Sequence, residues 1–299
     1  MLDGIIVINK TKGCTSHDVV SKVKRILNEK VGHTGTLDPN ATGVLPLLIG
    51  KGTKLSYYLI EHDKKYKVVL QLGIKTDTAD CEGKIIEEKE VLDESLAEKN
   101  IKATLYSFVG EQSQIPPMYS AIKVNGKKLY EYARKNQEVK LTPRKITIYG
   151  IELIDIYPED KQIIFEVSCS KGTYIRSLCE DIAKKLNTVG YMKELSRISV
   201  GQFDISNSIT IEDLEKNKNS DEFINKHFIT IEDYFKSLNE NNKIYLENSK
   251  IPLFLNGVKL TFPLSDGLYR IYDKNNYFIG IGMVKNTLLK REIIVEKDS

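Results

Sequence analysis

Asp38 is the only carboxylate between Glu29 and Glu61, in a chain that carries 41 acids among 299 residues. It lies in Gly32-His33-Thr34-Gly35-Thr36-Leu37-Asp38-Pro39-Asn40-Ala41-Thr42-Gly43. Gly32, Gly35 and Gly43 let the backbone bend tightly and approach another molecule closely. Pro39 biases Asp38 toward an extended conformation and stiffens the turn behind it. A single acid on a stiff loop can act as a nucleophile or remove a proton. It can also be an ordinary turn aspartate satisfying backbone N–H groups. The apolar run Val44–Ile49 that follows is too short for a helix and reads as a buried strand.

The elements around this loop follow from hydrophobic spacing. Gly4–Asn9 reads as a buried strand, Lys10–Gly13 as a turn, and Ser16 as the cap of a helix with Val19, Val20, Val23, Ile26 and Leu27 on its apolar face. Residues 52–60 read as a short helix. In Lys65–Gly73 the alternation puts Tyr66, Val68, Leu70 and Leu72 on one face of a strand, so Tyr66 points inward. Asp93 is placed to cap a helix running to Phe108. Asn125-Gly126 signals a hairpin, and residues 128–136 read as helical. Arg144–Pro158 and Lys161–Ser170 alternate as two strands, and a helix opening near Tyr174 buries Ile175, Leu178, Ile182 and Leu186. Arg176 falls off that face, in a first helical turn where the macrodipole disfavours a cation. Such an arginine has either a local surface partner or an acid from elsewhere. Lys216–Ser220 and Asn239–Lys243 look like linkers, and short β-like runs begin at Ile251.

Charge is uneven. From Ser113 to Lys145 eight bases (Lys123, Lys127, Lys128, Arg134, Lys135, Lys140, Arg144, Lys145) face two acids, a segment charge of +6 that leaves −3 for the rest of a chain with net charge +3. A basic patch on a slightly acidic protein marks a polyanion site, and Tyr130 and Tyr132 add stacking surfaces suited to RNA. The four cysteines form no C-x-x-C pair, which points to reduced thiols in a cytoplasmic protein and to no metal site. The N-terminus lacks a signal-peptide pattern, and no apolar stretch approaches the ~20 residues of a membrane helix.

His33-Thr34-Gly35-Thr36-Leu37-Asp38-Pro39-Asn40-Ala41-Thr42-Gly43 closely resembles the signature of the TruB family of tRNA pseudouridine-55 synthases. Lys65-Tyr66-Lys67-Val68, Thr76–Asp80, Tyr174, Arg176 and Leu195 match later family segments in the same order. One departure is Thr11, where many members have proline. The resemblance implies an α/β (α+β) pseudouridine-synthase catalytic domain with a mixed or antiparallel sheet over residues 1–240. It also implies a thumb insertion at about 113–145 and a PUA-like RNA-binding β-domain over 241–299. It makes Asp38 the catalytic carboxylate, with His33, Tyr66, Tyr174, Arg176 and Leu195 around the target uridine and Arg176 paired with Asp38. His33 would occupy the space left by the flipped base, and Tyr66 would lie against the uracil. The partner is tRNA, bound at its T stem-loop by a monomer that needs no cofactor, because the rearrangement oxidises nothing and releases nothing. The thumb favours the standalone bacterial type over guide-RNA-dependent relatives.

Two other classes fit parts of this pattern. A non-catalytic tRNA-binding or tRNA-folding protein accounts for the basic segment but leaves Asp38 and Arg176 unexplained. A glycoside hydrolase or nucleosidase usually needs two carboxylates about the bond or a metal, and the loop offers one acid.

Overall fold

The computed structural model describes residues 2–120, 122–133, 135, 137, 139 and 141–295. Ten strands form one mixed sheet. Its central path runs, in space, Phe228–Thr230, Gly4–Lys10, Thr42–Ile49, Gly190–Val200, Lys64–Leu72, Gln162–Cys169, Arg144–Tyr157 and Gly110–Gln114. Val31–His33 and Phe203–Asp204 pair at its sides. Every pairing is antiparallel except one. Thr42–Ile49 and Gly190–Val200 run parallel, touching at Ser196↔Thr42 and Arg197↔Gly43. Gly43 makes this seam possible: its φ is +102°, and a Cβ there would stand 2.2 Å from the Arg197 carbonyl oxygen. The Asp38 loop enters the sheet at this seam.

Helices cover the sheet because the strands are apolar on their buried faces. Ile175–Lys185 and Glu98–Tyr106 pack over Val68, Leu70, Ile163 and Phe165. Ser16–Leu27 buries Val19, Val20 and Val23 against Ile6, Ile8, Leu45 and Leu47. The Tyr66 face of Lys64–Leu72 is buried as the alternation requires. Asn125 and Gly126, both with positive φ, turn the hairpin between Lys123–Val124 and Lys127–Lys128.

Several local expectations need correction. Thr15, not Ser16, caps the first helix, in a reciprocal box with Asp18. The Asp93 helix breaks into Asp93–Leu96 and Glu98–Tyr106 because Ala97 is extended, and Leu92 precedes it without a side-chain cap. Lys216 still belongs to the Ile211–Asn217 helix, and a second helix, Asp221–His227, starts directly after the supposed linker. Ile251–Leu255 is a helix with Pro252 in its first turn, where proline's missing N–H costs nothing. The thumb helix spans Leu129–Ala133; Arg134, Asn136, Glu138 and Lys140 from the basic segment lie outside the described residues.

The C-terminal strands Lys243–Tyr245, Gly267–Tyr272, Phe278–Lys285, Leu288–Ile294 and Leu260–Thr261 form a separate five-stranded sheet around Phe254 and Ile271. It does not stand apart. Ile281 and Ile293 share a core with Ile5, Val7, Val44 and the helix residues Ile231, Tyr234 and Phe235. Among the described residues no helix is long and apolar enough to cross a membrane.

Candidate active site

The Asp38 loop is fixed from three sides. Lys10, wholly buried at the end of its strand, donates to the carbonyls of Thr11 (3.1 Å), Pro39 (3.0 Å) and Ala41 (2.7 Å). Burial lowers its pKa, which the nearby Cys14 and Asp38 partly oppose. The Ser16 hydroxyl accepts from Leu37 N–H (2.9 Å) and donates to Leu37 C=O (3.1 Å). Arg197 donates through Nε to Val44 C=O and through Nη2 to Gly35 C=O, both at 2.8 Å. Leu37 and Ala41 are buried anchors on either side of Asp38, whose own side chain remains 41% exposed. The loop is therefore stiff, with its acid presented to solvent.

Arg176 meets Asp38 from the first turn of the Ile175–Lys185 helix. Its Nε lies 3.4 Å from Asp38 Oδ2, and its Nη1 lies 3.4 Å from Asp80 Oδ2. Nη2 donates to the Tyr119 carbonyl at 3.0 Å. Arg176 does not lie on an exposed helix face as expected. It is 8% exposed, covered by the base of the thumb and by the 78–80 turn. Nor does it grip Asp38 with a two-pronged fork; it divides its donors between two acids and the carbonyls of Thr78 and Tyr119. Gln114 fixes the start of the helix by exchanging two bonds with the Tyr174 backbone (2.8 and 3.0 Å), and Ser177 donates to Ile115 C=O (2.9 Å).

Between these elements lies a cleft of about 710 Å³, within the usual range for small-molecule pockets. Asp38, Tyr66, Tyr174, Arg176 and Leu195 all line it. Tyr66 lies deep, 8% exposed, directly across the strand pair from Arg197. Burial raises the Tyr66 pKa and the Arg197 guanidinium partly offsets that; burial lowers the pKa of Arg197 itself. His33 is placed differently. It ends the Val31–His33 strand behind the loop, is half-buried and is not in the cleft wall; its Nδ1 has no described partner. Burial, then Arg197, lowers its pKa.

Lys10, Ser16, Gln114 and Arg197 do not stand out in the sequence as site residues. Asp80 carries a signal there, since Thr76–Asp80 matches a family segment. A buried lysine or arginine whose partners are distant carbonyls leaves no pattern in a linear chain. Among the described residues no group of three or more His, Cys, Asp or Glu could hold a metal ion.

Comparison with known proteins follows the same geometry. Residues 24–175 match the model of the TruB family pseudouridylate synthase N-terminal domain, and residues 176–236 that of the tRNA pseudouridylate synthase B C-terminal domain. A tRNA pseudouridine synthase B from Clostridium kluyveri is 47% identical over 296 residues, covering 97% of this chain and 98% of that one. One from Caldanaerobacter subterraneus subsp. tengcongensis is 43% identical over 292 residues, with 97% and 98% covered. The crystal structure of the archaeal box H/ACA sRNP Nop10-Cbf5 complex contains a chain similar in fold, with a TM-score of 0.67 and 26% identity over 97% of this chain and 85% of that one. With family models spanning residues 24–236 and relatives matched nearly end to end, the chain belongs to the TruB family of pseudouridylate synthases.

Proposed function

We propose that the protein isomerises uridine 55 in the TΨC loop of tRNA to pseudouridine, acting alone on the T stem-loop. The observation that carries this reading is Asp38, a solvent-reaching acid on a pinned loop, ion-paired to Arg176 at a cleft with Tyr66 in its depth. The target base must first leave its stack, at a cost of about a few kcal/mol. Asp38 then attacks C1′ or removes the C2′ proton, with Arg176 paired to its carboxylate. Tyr66 and Tyr174 hold the uracil, with Leu195 packing beside them. Tyr66 is the candidate to take the C5 proton after the sugar has rejoined. His33, on the strand leading into the loop, fills the place of the departed base.

Residues 1–240 act as the catalytic unit and 241–299 as a PUA-like RNA-binding unit. The thumb bases Lys123, Lys127 and Lys128 meet the phosphates. Purified protein incubated with unmodified tRNA, followed by pseudouridine mapping through chemical derivatisation, tests the reading. The expected result is modification at position 55. Modification elsewhere, free uracil, or binding without product would each overturn it.

A further inference from the structure

The charge in the cleft wall is lopsided. Among the described residues Asp38 is the one acid lining it, against Lys64, Arg144, Lys145, Lys171, Arg176 and Arg197. Arg176 is divided between two carboxylates and Lys171 is paired with Glu61. Arg144 and Lys145 are exposed on the strand that leaves the thumb, within reach of a phosphate backbone. Lys64 and Arg197 differ from all of these. Arg197 is 1% exposed and Lys64 is half-buried, yet among the described residues neither has a carboxylate within ion-pair distance. Lys64 donates to the His62 carbonyl, which leaves two of its three ammonium protons for other acceptors.

The two cations also crowd each other. A Cβ on Gly35 would stand 3.3 Å from Arg197 Nη1 and 3.7 Å from Lys64 Cε. Both border Tyr66: Arg197 is its cross-strand neighbour, and Lys64 precedes it by two on the same strand, hence on the same face. Two like charges withdrawn from water without a counterion are costly. Their placement makes sense where a negative charge arrives during turnover.

The isomerisation creates such a charge. Asp38 either forms a bond to C1′ or takes the C2′ proton, whose bonding pair becomes the C1′–C2′ double bond. In both cases the C1′–N1 bond breaks and its electron pair leaves with the uracil. The detached ring is an anion, its charge spread over N1, O2 and O4. It lasts until C5 supplies a pair to C1′, which either expels the Asp38 carboxylate with its bonding pair or sends the C1′–C2′ pair to C2′ to retake the proton from Asp38; the C5 proton then departs to a base. A cation that meets this anion acts on the barrier more than on substrate binding. We propose that Lys64, backed by Arg197, is a catalytic residue that stabilises the detached uracil anion. The assignment rests on the reading above, in which the uridine enters with its sugar toward Asp38.

Single-turnover conversion at saturating tRNA, read as loss of the original nucleoside, tests it. Two full-length transcripts are used: one with uridine, one with 5-fluorouridine, whose more acidic base leaves more readily. Lys64→Met should slow uridine conversion by about 10²-fold, the scale of removing one oxyanion donor, with tRNA affinity within about twofold of the parent. Lys64→Arg should keep most of the rate. The Lys64→Met deficit should shrink at least about fivefold on 5-fluorouridine, because a better leaving group needs less help. A purely structural role would slow both substrates alike, and that result, or an unchanged rate, overturns the proposal. Lys64→Gln carries the same test should methionine lower the thermal midpoint. If the parent enzyme converts no uridine, the underlying reading has failed instead.

Discussion

Between Gly35 and Val44 the carbonyls of five residues are taken by buried side chains from elsewhere in the chain. Arg197 holds Gly35 and Val44, Ser16 holds Leu37, and Lys10 holds Pro39 and Ala41. Beyond its base, by contrast, the thumb is held by bonds such as these within its own segment. Leu129 N–H donates to Ile122 C=O, Tyr130 N–H to Ser120 C=O, and the Tyr132 hydroxyl to Val124 C=O. Tyr119 ties the base of the thumb to Arg176. With Asp38 in the proposed catalytic role, its region gains from fixed geometry, because a reacting carboxylate misplaced by about 1 Å can lose ~10²-fold in rate. The other gains from adaptable, charged contact with a bulky polyanion, where each phosphate interaction contributes separately.

The largest test of this contrast is Asp38→Asn, nearly isosteric but unable to ionise. Turnover should vanish while tRNA binding survives; appreciable product from the variant would remove Asp38 from the chemistry. Next comes Lys10→Met, which leaves the loop carbonyls without their donor and touches no substrate. Single-turnover rate should fall by about 10²-fold, with the thermal midpoint lowered and the tRNA Kd little changed. A rate near the parent's would mean that Ser16 and Arg197 hold the loop unaided.

A smaller effect is expected in the thumb. Neutralising Lys123, Lys127, Lys128 and Lys135 should weaken tRNA affinity and leave the rate at saturation nearly intact. For every phosphate that no longer meets a lysine, the log–log salt slope should change by about 0.7–0.9. An unchanged slope would make this segment a solvated face. The smallest effect concerns stability and pH. Burial lowers the pKa of His33 and of His62, each from an ordinary value of 6.5. The unfolded chain therefore binds these protons first as pH falls, so stability should decline below about 6.5 and level off beneath the folded-state values. Thermal midpoints between about pH 7.5 and 5 check this, and His62→Gln should flatten the decline.

Much of this arrangement is legible in the sequence because it follows short-range rules. The alternation in Lys64–Leu72 turns Tyr66 inward, and the Gly/Pro spacing about Asp38 reads as a stiff, closely approached loop. The misplaced cation in the first turn of Ile175–Lys185 points to an acid partner. Lys10 and Arg197 are not legible, since a charged residue in a strand reads as outward-facing unless its long-range partners are known. Arg197 is stabilised by carbonyls at positions 35 and 44, more than 150 residues away. The Ile251–Leu255 helix escapes a sequence reading for a different reason: five apolar-rich residues carry too little periodicity to separate helix from strand.

The core shared by Ile5 and Val7 with Ile281 and Ile293 bears on how the protein is made. The strand Gly4–Lys10 is packed, on one face, partly against side chains that leave the ribosome long after it. Leu55, Leu59, Phe203, Ile231, Tyr234 and Phe235 cover most of that face, and the remainder waits for Ile281 and Ile293. Until those two side chains arrive, nascent chains carry a small uncovered apolar patch, the kind of surface that chaperones hold and aggregates recruit.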